Sequence, residues 1–103
     1  MTLYYEMHVT IEFPETEALF NKAKFIAIAN GYHVGDLLLM KHEIERSRKD
    51  MFFTSRAGSQ CAAEQSIKLL CEQLRAAGFT VLRYKIEDTV VDSRIEDRLL
   101  ALA

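Results

Sequence analysis

Residues 3–13, Leu3-Tyr4-Tyr5-Glu6-Met7-His8-Val9-Thr10-Ile11-Glu12-Phe13, alternate without a break. Leu3, Tyr5, Met7, Val9, Ile11 and Phe13 take one parity, and Tyr4, Glu6, His8, Thr10 and Glu12 take the other. Side chains of an extended chain point to opposite faces in turn, so a period of two describes a strand that is buried on one side and wet on the other. Pro14 ends the stretch, because proline has no N–H to give a ladder.

The period changes immediately afterwards. Leu19, Phe20, Ala23, Ile26 and Ala27 recur at three and four, and Asn30-Gly31 supplies a stop, which predicts a helix over about residues 16 to 30. His33 to Lys41 contains Leu37-Leu38-Leu39-Met40, a short apolar run that reads as a second strand. The segment from His42 to Asp50 is almost wholly charged and reads as an exposed connection, longer than hairpin loops usually are. Met51 to Arg56 is aromatic and hydroxyl-rich, as suits a third strand, with one aromatic of Met51-Phe52-Phe53 expected to face outward.

Ala57-Gly58-Ser59 breaks that strand, and Ser59 or Gln60 opens a second helix. Its stripe is Ala63, Ile67, Leu70, Leu74 and Ala77, closed by Gly78. Thr80 to Val90 alternates again, with Leu82, Tyr84 and Ile86 against Arg83, Lys85 and Glu87. Ser93 and Glu96 match a capping box, and Ile95, Leu99 and Leu102 line a short C-terminal helix. Strand, helix, strand, strand, helix, strand is the order of an α+β ferredoxin-like βαββαβ fold. Its sheet is four-stranded and antiparallel, with two helices on one face and the other face open.

The 103 residues fit a single domain, and half-apolar composition with 27% charged residues is that of an ordinary globular chain. A chain of this size hides little more than about 60% of its unfolded surface, so a second copy would add burial. Together with the C-terminal apolar stripe, this predicts a homodimer. A net charge of -2 argues against a protein whose main task is to grip a nucleic-acid backbone. No run approaches the roughly 18 apolar residues of a membrane span, and the first residues carry acidic groups where a signal peptide needs a basic start. A cytoplasmic location is the expectation. Cys61 and Cys71 fall on one predicted helix, roughly 15 Å apart at the helical rise, beyond disulfide reach. With neither a CxxC nor a histidine pair, no metal and no cofactor is implied.

In this fold the polar parities share the open face. His8 and Thr10 would lie beside Arg83, Lys85 and Glu87 of the fourth strand, with Thr54 and Arg56 of the third strand on the other side if Phe53 faces the core. Histidine exchanges a proton near neutral pH, so His8 is a candidate acid or base, with Glu87 as a second candidate. Arg56, Arg83 and Lys85, with the hydroxyls of Thr10 and Thr54, are candidates to bind a phosphate or another small anion. The competing reading is that a sheet with one wet face alternates polar residues there without any function, its Lys–Glu and Arg–Glu pairs serving the sheet alone. In that case the domain is a noncatalytic interaction or self-association module. A second candidate, Ser55-Arg56-Ala57-Gly58-Ser59 at the start of the second helix, offers free amides to an anion, although Gly and Ser are also plain turn and cap residues there. His33 reads as a surface residue after the turn at Gly31, and His42 has no partner at metal-ligand spacing.

Two resemblances bear on these residues. His8-Val9-Thr10 on a strand resembles one of the two HxT motifs of the 2H phosphoesterases, whose histidines serve as acid and base and whose threonines hold phosphate. The match covers three residues. Neither His33-Val34-Gly35 nor His42-Glu43-Ile44 repeats it, so the resemblance would need two copies brought together. Over most of the chain, Tyr5-Glu6-Met7-His8-Val9-Thr10, Ser47-Arg48-Lys49-Asp50-Met51-Phe52 and Arg83-Tyr84-Lys85-Ile86-Glu87-Asp88-Thr89 with Asp92-Ser93-Arg94 look like a set of small uncharacterised microbial ferredoxin-like proteins. That resemblance implies no activity.

Overall fold

Tyr4–Glu12 forms the first strand, β1, and it buries the expected parity: Met7, Val9 and Ile11 are enclosed while Glu6, His8 and Thr10 remain part-exposed. The computed structural model describes residues 2–35 and 50–90. The second strand beyond Gly35, the charged connection as far as Lys49 and the C-terminal helix around Ser93 lie outside the described residues.

After β1 come α1 (Glu17–Ala29), β2 (His33–Val34), β3 (Asp50–Ala57), α2 (Gln60–Ala76) and β4 (Val81–Thr89). Each helix starts on a hydroxyl cap. Thr16 accepts from the Leu19 amide at 3.2 Å and Ser59 from the Ala62 amide at 3.1 Å, satisfying N–H groups that have no partner within the helix. Each helix also ends just before a glycine in the left-handed region, Gly31 at φ 81° and Gly78 at φ 93°, where other residues are strained.

The strands form one antiparallel sheet in the order β2-β3-β1-β4, the α+β arrangement expected of a ferredoxin-like fold. Side chains directly opposite in an antiparallel pair share a face. On the helix side, Val34, Phe53, Val9 and Tyr84 therefore form one transverse row. The core between this face and the helices contains Met7, Val9, Ile11, Met51, Phe53, Ala23, Ala27, Ile67, Leu70 and Leu74. Tyr32 joins it, with its hydroxyl 3.0 Å from Ser66 Oγ and 3.5 Å from Met7 Sδ, so that one side chain ties the start of β2 to α2 and β1. Burial raises the Tyr32 phenol above its ordinary range, and the Ser66 hydrogen bond opposes part of that rise.

Two parts of the expected core are corrected. Leu19 is 40% exposed, because α1 turns Phe20, Ala23 and Ala27 inward instead. On β4, Leu82 and Tyr84 are 51% and 57% exposed. The pairing jumps from Thr10↔Arg83 to Ile11↔Val81, so Leu82 is an extra, bulged residue and Val81 takes its inward place. Tyr84 keeps the inward parity, yet its ring borders the groove between α2 and β4 and lies open to solvent.

Candidate functional site

The other face of the sheet collects every side chain singled out for chemistry. In register, His33, Thr54, His8 and Lys85 form one transverse row, Arg56, Glu6 and Glu87 the row on one side of it, and Phe52, Thr10 and Arg83 the row on the other. The strand pairing thus puts His8, Thr10, Thr54, Arg56, Arg83, Lys85 and Glu87 on one surface, and it adds two residues that the sequence did not point to, Glu6 and His33. Phe52 is the outward aromatic of its triplet. Its ring lies over Gly35, where an added Cβ would come within 2.3 Å of it, and it walls one end of the face.

Charges on neighbouring strands pair locally. His8 Nε2 lies 3.0 Å from Glu6 Oε1 on its own strand and 3.9 Å from Glu87 Oε1 on β4. The two atoms of the Glu6 contact face each other at that distance without a hydrogen bond between them. Nε2 is buried and has no hydrogen-bond partner among the described residues. Lys85 Nζ is 2.5 Å from Glu87 Oε1. Lys85 is thus paired with Glu87 on its own strand, and the carboxylates of Glu6 and Glu87 are the acidic groups beside Nε2.

The Lys85 hydrogen bond and charge lower the Glu87 carboxyl below its ordinary 4.5, with smaller help from His8 and Arg83 against a slight opposing effect of burial. Because the folded-state value lies below that of the unfolded chain, the ionised carboxylate stabilises the fold fully above the ordinary glutamate range. That contribution is lost as pH falls through the depressed midpoint. In a carboxyl-detected NMR titration Glu87 should therefore have a midpoint below ordinary glutamate, and Lys85→Met should return it towards the ordinary value. An unchanged midpoint in Lys85→Met would show that the pair does not form in solution.

On the opposite flank of His8 the face hollows into a depression of about 510 Å³ lined by Glu6, His33, Thr54, Ser55 and Arg56. Ser55 Oγ donates to the Gly31 carbonyl at 2.8 Å and fixes the end of β3 against the turn before β2. The Arg56 guanidinium carbon stands 4.4 Å from the Tyr4 ring centroid, a cation–π distance that holds the side chain across the sheet. The depression therefore has a cation, an imidazole, the Thr54 hydroxyl and a carboxylate in its walls. The alternative anion site at the start of α2 is not prepared in the same way, since the Ser59 hydroxyl is used as the helix cap.

Outside this face the reactive groups are quiet. Cys71 is buried, and burial pushes its thiol up, against a smaller opposing pull from Arg75, so it is poor as a nucleophile. Cys61 is an exposed free thiol. Among the described residues no three His, Cys, Asp or Glu side chains are placed to hold a metal ion, and no helix is long and apolar enough to cross a membrane. Comparison of the chain with protein-family models, with curated proteins and with solved structures finds no match in any of the three.

Proposed function

We propose that the open face binds a small phosphate ester carrying hydroxyl groups, such as a sugar phosphate or a mononucleotide, in the depression between β1, β2 and β3. The observation that carries this reading is the lining of that depression. Arg56 and His33 flank the Thr54 hydroxyl, while Glu6 stands beside them backed by His8. Guanidinium and imidazole meet the phosphate, Thr54 donates to it, and Glu6 accepts from a hydroxyl of the ligand. A ligand that is anionic throughout would be repelled by Glu6, which is why the reading requires a donor as well as a phosphate. His8, close to Glu6, supplies the proton-exchanging group. Thr10 and Arg83 lie one row away and border the face. Two free thiols suit a reducing, cytoplasmic setting.

Titration with inorganic phosphate, a sugar phosphate and a mononucleotide tests this, read by the ring signals of His8 and His33. Both rings should move together, and the hydroxyl-bearing esters should bind more tightly than phosphate. Arg56→Met should weaken the best ligand about 10- to 100-fold, equivalent to about 1.4–2.8 kcal/mol for a charge-assisted contact. If none of the three moves either ring at millimolar concentration, the face is a plain solvated sheet surface.

A further inference from the structure

We propose that two copies of the chain join through β4, edge to edge about a two-fold axis, to make a continuous eight-stranded sheet with Ile86 beside Ile86 of the partner subunit. This rests on a different surface from the ligand reading and stands or falls separately from it.

β4 is the outer strand of the sheet, nine residues long, with the backbone groups of its outer side unpaired among the described strands. A strand edge of that length is a template for another strand. It also carries two of the large apolar side chains that the fold leaves exposed, Leu82 and Tyr84, and a third, Val90, directly follows it. Beside it runs a groove of about 650 Å³ between β4 and α2, bordered by Ile67, Cys71, Tyr84 and Ile86.

The charges on β4 specify a second copy rather than an arbitrary strand. Antiparallel pairing about a two-fold keeps each residue on its own face only if an actual residue sits on the axis. With Lys85 on the axis, Arg83 meets the partner's Glu87 twice, but lysine meets lysine at the centre. With Tyr84 there, Arg83 meets the partner's Lys85, and with Glu87 there, glutamate meets glutamate. Like charges directly opposite destabilise a strand pair. With Ile86 on the axis, Lys85 comes opposite the partner's Glu87 on the open face, twice by symmetry. On the helix side Ile86 meets its own copy. Tyr84 then lies diagonal to the partner's Ile86. Of the registers centred on Tyr84 to Glu87, this one alone sets no like charges directly opposite.

Sedimentation equilibrium on the full chain should return a dimer. Lys85→Glu or Glu87→Lys alone should weaken it on the order of tenfold or more, since each places like charges across the axis. The double variant Lys85→Glu/Glu87→Lys should restore it, a recovery that general damage to the fold would not give. In a Cys61→Ser background, Ile86→Cys should be bridged to a covalent dimer by diamide and Lys85→Cys should not, because only the axial pair falls within disulfide reach. A monomer at high micromolar concentration would overturn the proposal. So would a dimer indifferent to both single reversals, or one that the double variant fails to restore.

Discussion

Replacing Phe53 by alanine is expected to destabilise the protein by about 3–5 kcal/mol, the largest effect of any single truncation in this fold. Phe53 is completely enclosed, on an inner strand, with Val9 opposite it on β1 and Val34 on β2. Removing the ring deletes the largest fully buried side chain among the described residues and leaves a hole that two flanking valines on a hydrogen-bonded sheet cannot close. Urea melts followed by circular dichroism give the value directly. A loss below about 1 kcal/mol would mean that Phe53 does not face the helices, and with it would go the assignment of Thr54 and Arg56 to the open face.

Leu70→Ala should cost about 2–5 kcal/mol by the same physics from the other layer. Leu70 is fully buried on α2, the helix that packs over β1 and reaches β3 and β4. Leu69, its neighbour in sequence, is 48% exposed, so Leu69→Ala serves as the internal control and should change stability by about 0.5 kcal/mol or less. Equal losses in the two variants would show that the helix is rotated about its axis relative to the sheet.

The parts of the fold that could be read from sequence are those in which packing imposes a period on both sides of an element. β1 and β3 lie inside the sheet, every residue of β1 has a partner, and their parities hold from end to end. The α2 stripe is equally plain because that helix covers the middle of the sheet. β4 misled because it has a neighbour on one side only. Nothing forces Tyr84 under cover, and a bulge at Leu82 breaks the alternation at a point where the sequence still looks regular. On α1 the stripe Phe20, Ala23, Ile26 and Ala27 does pack on the core, and only Leu19, at the margin of the stripe, is left 40% exposed.

Within the site, the seven residues picked out by parity do share one surface, since parity on a paired strand is a geometric fact. Two members were missed. His33 sits on a strand of two residues, too short to show any period, and only its pairing with Thr54 reveals its place. Glu6 was visible in sequence two positions from His8, and the signal available was that residues i and i+2 of a strand are neighbours on one face. Parity cannot reveal which charges neutralise one another. That Lys85 belongs to Glu87, and His8 lies against Glu6, depends on distances of 2.5 and 3.0 Å.

The pairing of β1 with both β3 and β4 also sets the order in which the candidate surface comes into being. His8 is made within the first tenth of the chain, Thr54 and Arg56 near its middle, and Lys85 and Glu87 close to its end, yet they meet in adjacent rows. A chain emerging from a ribosome can form α1 early but cannot place β4 against β1 until Tyr4 and Thr89 come together across 85 positions. Until then the Glu6–His8 couple has an empty flank on the β4 side and its outer backbone is exposed. The surface is thus completed only once β4 is made, and a chain cut short before β4 would present β1 as the open edge.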